Sequence, residues 1–240
     1  MSIPAEAVAA PAVVQTLAGR DGLAPVWRND YGGLTFRAGS RYIKWCPHNL
    51  ETSLADEATR LAWAAPYTPV PRMIEYGADA DAEWLVTEAL PGESAVAPRW
   101  LADPATAVRA IGEGLRALHE ALPVGECPFV WDVPSRIANA AARGIQLPAR
   151  FADAPAIERA VVCHADACSP NTLIGDDGRW TAHVDLGQLG VADRWADIAV
   201  ASMSTEWNYG PGWHDALIAA YGVEPDRQRL AFYRDLWNAT

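Results

Sequence analysis

The segment from Val161 to Gly187 constrains this chain more than any other stretch. Two short apolar runs, Thr172 to Ile174 and Trp180 to Val184, flank the turn residues Asp176-Asp177-Gly178, which predicts a β-hairpin. Asn171 immediately precedes the first strand and Asp185 immediately follows the second, so an amide oxygen and a carboxylate arrive at the same open end. Hard oxygen donors placed side by side suit Mg²⁺, which takes few protein ligands and fills its shell with water and phosphate oxygens. Gly187 lets the chain turn away closely. Asp166 stands in a loop interrupted by Pro170, within reach of the same place, and is a candidate base for a hydroxyl proton.

Upstream, Arg41-Tyr42-Ile43-Lys44-Trp45 has strand character, with Tyr42 and Lys44 on one face and Ile43 on the other. Val26 to Phe36 carries Asn29-Asp30-Tyr31-Gly32-Gly33 between apolar residues and reads as a hairpin. Ser53-Leu54-Ala55-Asp56 has the spacing of a capped helix start, and Leu54, Ala58, Leu61 and Ala62 predict an apolar face over Leu54 to Ala64, with Glu57 at its edge. Trp84 to Thr87 reads as a strand that Pro91 and Gly92 bring to an end. Asp103-Pro104 then opens a helix to Leu122 whose Val108, Ile111, Leu115, Leu118 and Leu122 form a continuous stripe. Gly112 and Gly114 each cost that helix about 1 kcal/mol relative to Ala, which implies close packing at both.

Half of the residues are hydrophobic and a fifth are charged, the balance of a folded soluble protein. The formal charge of −11 disfavours a nucleic-acid partner and favours a cationic small molecule. Met1 to Val14 has no basic start and contains two prolines, unlike a secretory signal, and no run reaches the roughly 20 apolar residues of a spanning helix. Cys46, Cys127, Cys163 and Cys168 show no disulfide spacing. These features indicate a cytoplasmic protein without a membrane partner; oligomeric state is not fixed by them.

Phosphoryl transfer requires a base, metal ligands and a cation on the phosphates, because its catalysis is mostly positioning and charge neutralisation. Lys44 can supply the cation, and Glu57 on the next helix can hold it. Five stretches occur in a telling order: Leu54-Ala55-Asp56-Glu57-Ala58-Thr59-Arg60-Leu61; Leu90-Pro91-Gly92; Cys127-Pro128-Phe129; His164 to Asn171; and Asp185 through Gly190-Val191-Ala192-Asp193-Arg194 to Asp197-Ile198-Ala199. In these the chain resembles the aminoglycoside phosphotransferases, most of all the 3'-phosphotransferase branch. The resemblance implies an α+β, protein-kinase-like fold with a small β-rich N-lobe over residues 1–89, a larger helical C-lobe over residues 90–240, and the nucleotide in the cleft between them. It implies Lys44 on the α- and β-phosphates with Glu57 pairing it, and Thr87, Glu88, Ala89 and Leu90 as the adenine hinge. Asp166 is then the base, Asn171 and Asp185 bind Mg²⁺, and Asp197 braces the catalytic loop through His164. The cofactor is ATP, with GTP open, and the expected activity is antibiotic resistance. Glu206, Asp215 and Asp235 are candidates for gripping the cationic substrate.

Several positions depart from the family pattern. Ala165 stands where the family usually has glycine, which is strained if the backbone there is left-handed. The stretch from Cys127 to Cys163 is shorter, Gln188 replaces an expected arginine, and the acidic ending is replaced by Asp235-Leu236-Trp237-Asn238-Ala239-Thr240. The first two keep alternatives open: a housekeeping kinase of another hydroxylated amino sugar or metabolite, and a nucleotide-binding regulator without catalysis. Cys163, His164, Asp166 and Cys168 do not form the separated ligand pairs of a structural zinc site. His48, His119 and His214 read as surface or satisfied structural histidines, and Trp207, Trp213 and Trp237 as core packing.

Overall fold

Residues 8–240 are described by the structure, a computed structural model; Met1 to Ala7, part of the N-terminal stretch read above, lie outside the described residues. Contacts divide the chain into two compact units, residues 8–66 with 71–90, and residues 67–70 with 91–240. The first opens with a helix that the sequence reading does not anticipate, α1 (Ala12–Ala18). Its Val14 and Ala18, one turn apart, are buried with Phe36, Ala38, Ile43 and Val86. The strands β1 (Leu23–Arg28), β2 (Leu34–Ala38) and β3 (Arg41–Pro47) follow, then α2 (Leu54–Ala64), β4 (Met73–Ala78) and β5 (Ala82–Glu88). They form one antiparallel sheet in the order β1-β2-β3-β5-β4.

Local chemistry sets these boundaries. Asn29 Oδ1 accepts the N–H groups of Tyr31 and Gly33 at 3.0 and 2.6 Å, closing the β1–β2 turn as an asparagine side chain does in place of backbone. Ser53 caps α2 by accepting the Asp56 N–H at 3.1 Å. The buried face of α2 differs from the expected one: Ala62 is exposed, Ala64 is buried, and Glu57 lies within the face. A charged residue at such a position requires a partner, and it has one.

The second unit begins with β6 (Glu93–Ser94), α3 (Pro98–Leu101), α4 (Pro104–Ala121) and α5 (Val133–Ala142). A Cβ added at Gly112 would lie 2.7 Å from Leu217 O, and one at Gly114 2.5 Å from the Trp180 ring. The two glycines therefore mark where neighbours press closest on α4. Next come β7 (Ala160–Cys163), β8 (Thr172–Ile174), β9 (Trp180–His183), β10 (Gly190–Asp193), α6 (Arg194–Tyr209), α7 (His214–Tyr221) and α8 (Arg227–Ala239). β8 and β9 form the expected hairpin, with β6 as a third strand. β9 stops one residue early, at His183, and the Val184 N–H closes onto Asn171 O at 3.0 Å. The antiparallel pair of β7 and β10 is absent from the sequence reading, because each strand is only four residues long and neither shows an alternating pattern. Residues 67–70 join this unit, with the His183 N–H donated to Pro69 O at 3.2 Å, so the division is not the single break after residue 89 that the sequence suggests. Among the described residues no helix is long and apolar enough to cross a membrane.

Candidate active site

In the first unit Lys44 lies mid-strand on β3, opposite Thr35 of β2 and Leu85 of β5. Its Nζ reaches both oxygens of Glu57, at 2.7 and 2.9 Å, and the glutamate is 4 % exposed. The other Lys and Arg positions of the sequence are all arginine, so Lys44 is the one lysine among 19 such residues. Sequence reasoning did not use this signal. Arginine presents a planar fork and lysine a compact point charge, so a single lysine marks a position where the compact charge is required. At the end of β5, Thr87 is buried, Glu88 pairs with Arg72, and the Glu88 and Ala89 N–H groups donate to Arg72 O and Ser40 O at 3.0 and 2.8 Å. Leu90 closes the unit.

In the second unit the loop after β7 carries His164, Ala165 and Asp166. Asn171 Nδ2 donates to Asp166 Oδ2 at 3.1 Å and to Asp166 O at 3.0 Å. Asp166 Oδ1 is buried and accepts no well-formed hydrogen bond. Burial pushes the Asp166 carboxyl above the ordinary range and the Asp185 charge adds to this, while hydrogen bonding from Cys168 and Asn171 and the nearness of His164 work against it. Asp185 itself takes a left-handed backbone, φ 66°, a conformation that aspartate tolerates better than most residues.

Asp197 on α6 is fully buried and accepts three hydrogen bonds: from His164 N at 2.6 Å, Ala165 N at 2.9 Å and His119 Nε2 at 3.0 Å. Its contact with His164 is therefore through the backbone, not the imidazole. That ring is engaged elsewhere, with Nε2 at 3.0 Å from Val184 O and Nδ1 accepting the Asp166 N–H at 3.3 Å. His119 is a satisfied buried histidine, as expected, its Nδ1 lying 2.7 Å from Tyr221 OH. Burial alone would raise the Asp197 carboxyl; the His119 hydrogen bond and charge, with the His164 N–H, leave it below the usual value. The pair of loop amides aimed at one carboxylate requires Ala165 at φ 70°, the strained case foreseen for an alanine at this place. An L-residue there costs on the order of 1 kcal/mol relative to glycine. Ala165→Gly is expected to raise the unfolding free energy by about 0.5–1 kcal/mol, read from the urea midpoint at unchanged slope.

The three candidate substrate carboxylates all face basic groups. Glu206 is bound by Arg234 at 2.7 Å, Asp215 lies 3.4 Å from His214 Nε2, and Asp235 lies 3.8 Å from Arg150. Asp215 and Asp235 line an open hollow of about 410 Å³ along α7 and α8, together with His214, Arg227, Leu230 and Arg234. Trp207 departs from the core-packing expectation: it is 57 % exposed, because the buried stretch of α6 ends at Thr205. Cys163 donates its thiol to Asp193 O at 3.5 Å, and burial pushes that thiol well up, away from the thiolate a metal would need. Asp193, quoted in the sequence pattern without a role of its own, caps α6 and is buried against Arg229 at 2.9 Å.

A five-stranded antiparallel sheet followed along the chain by a helical unit that carries this loop and hairpin is the protein-kinase-like architecture of enzymes that move phosphate onto hydroxyl groups. The chain belongs to the phosphotransferase enzyme family, whose model matches residues 34–233. It is 40 % identical to an aminoglycoside 3'-phosphotransferase from Streptomyces fradiae, over 78 % of this chain and 80 % of that protein. Its identity to a streptomycin 3''-kinase from Streptomyces griseus is 34 %, over 91 % of this chain and 92 % of that one. Among solved structures, an aminoglycoside phosphotransferase from Streptomyces rimosus in complex with ADP and streptomycin superposes with a TM-score of 0.70 at 28 % identity, covering 93 % of this chain and 94 % of that chain.

Proposed function

We propose that this enzyme transfers the γ-phosphoryl group of ATP to a hydroxyl of an aminoglycoside, with Asp166 as the base. The observation that carries the reading is the Asp166 carboxylate: one oxygen is fixed by Asn171, and the other is buried without a well-formed hydrogen bond. Such an oxygen suits the proton of an incoming alcohol. Lys44, steadied by Glu57, neutralises nucleotide phosphate, and Thr87 to Leu90 meet the adenine. The residues fit a divalent cation. The Asn171 amide nitrogen is committed to Asp166, which leaves its oxygen as a donor, and the repulsion between Asp166 and Asp185 is what a cation would relieve. Asn171 and Asp185 would hold Mg²⁺, which supplies charge neutralisation at the phosphates when bound.

The names borne by the relatives and the net charge of −11 support a polycationic sugar as acceptor. Asp215 and Asp235 are offered to its amino groups at the α7–α8 hollow, whereas Glu206 is taken up by Arg234. The 3'-hydroxyl is the leading acceptor, and the streptomycin relatives favour a 3''-hydroxyl as the second reading. A panel of 3'-hydroxylated aminoglycosides, their 3'-deoxy counterparts and streptomycin, assayed with MgATP, tests both. Product from the hydroxylated members alone supports the first, and product from streptomycin the second. No product with any member removes aminoglycosides and leaves a kinase of another hydroxylated metabolite.

A further inference from the structure

Asp197 and Ser204 stand seven residues apart on α6, two turns along one helix face. Asp197 takes the N–H groups of His164 and Ala165, just before the base; Ser204 Oγ takes the Ser169 N–H, three residues after it, at 2.8 Å. Ser204 is 1 % exposed and is itself steadied one turn further on, where Asn208 Nδ2 donates to Ser204 O at 2.8 Å and to its Oγ at 3.2 Å. From the other side, Ser94 Oγ donates to Pro170 O at 2.8 Å. The turn from Cys168 to Asn171 is thus gripped at consecutive residues, and its last member is the amide that orients Asp166.

We infer that Ser204 is a positioning residue for phosphoryl transfer: by fixing the Ser169 N–H it sets where Asn171 and Asp166 stand. The inference rests on the reading of Asp166 as the base. Pro170 has no N–H, so Ser169 offers the backbone donor through which α6 can hold the tip of this turn. Displacement of a reacting group by about 1 Å can cost 10²-fold in rate, so loss of this one hydrogen bond is expected to appear in kcat rather than in substrate binding.

The test compares Ser204→Ala with Ser204→Thr, which keeps the hydroxyl, measuring phosphate transfer from MgATP both to aminoglycosides and to water, well below the unfolding midpoint of each variant. Ser204→Ala is expected to lower kcat about tenfold with KM for MgATP within about twofold, and Ser204→Thr to recover most of the loss. Unchanged kcat in Ser204→Ala, or equal losses in Ala and Thr, would overturn the inference. Should Ser204→Ala not fold, Asn208→Ala takes its place: a several-fold fall in kcat supports the inference, and wild-type kcat overturns it. Asp166→Asn is assayed beside them. Full turnover there removes the base assignment itself, whereas an inactive Asp166→Asn with a fully active Ser204→Ala removes this inference alone.

Discussion

Asp166→Asn is expected to lower turnover by roughly 10²- to 10⁴-fold and, at neutral pH in metal-free buffer, to raise the unfolding midpoint. The amide matches the carboxylate in shape and can still accept the Asn171 N–H, but it cannot take a proton from an alcohol. The gain in stability follows from the raised carboxyl pKa, caused first by burial and then by the Asp185 charge. A folded-state pKa above the unfolded one means that the folded protein binds the proton more tightly. The stabilising contribution is complete below the unfolded pKa and is lost as pH rises through the folded one. Ionising this carboxyl is therefore a local cost to folding, and the amide removes it. The difference between variant and wild type should narrow in acid, where the wild-type carboxyl is protonated too. Steady-state kinetics with MgATP and thermal unfolding at two pH values check both halves. Unchanged turnover would reject the base assignment, and coincident midpoints at neutral pH would reject the electrostatic cost.

The joining of stability and function at one residue also explains which parts of the site were legible. Asn171 and Asp185 could be placed together from sequence because a hairpin carries a register, and its turn chemistry at Asp176-Asp177-Gly178 fixes which residues stand at its open end. Lys44 was legible as a mid-strand residue by alternation, and α2 and α4 by their caps and apolar period. Long-range satisfaction was not legible. That the Asp197 carboxylate takes two loop amides, and that His119 lies behind it from a helix 78 positions earlier, depends on packing among elements that no local pattern encodes. The same holds for α1 and for β7 with β10: each is short, and each is stabilised by partners distant in the chain. The surroundings of the carboxylates named for a cationic ligand were not legible for a related reason, since sequence shows the acids but not the arginines and histidine that fold beside them.

Removing Asp197 should have the largest effect on stability. Asp197→Ala leaves the N–H groups of His164 and Ala165 and the Nε2 of His119 facing a void, all in a region with almost no solvent exposure. Breaking a buried charged network by deleting one member costs about 3–5 kcal/mol, much of it from the donors left without acceptors. Asp197→Asn should be little better, because the amide must turn one of its own N–H groups toward a donor. The acid limb provides a signature. A carboxyl with a depressed folded pKa contributes stability that is present above the unfolded pKa and lost as pH falls through the folded one, so the wild type should lose stability in acid that Asp197→Ala never had. Ala165 connects this prediction to the strain in the loop. Its left-handed backbone brings its amide to Asp197; without the carboxylate the loop is free to relax, and the advantage of glycine at 165 should shrink. A double-mutant cycle of Asp197→Ala with Ala165→Gly, followed by urea unfolding, measures that coupling. Strict additivity would show that the strain at Ala165 is imposed by something other than the buried carboxylate.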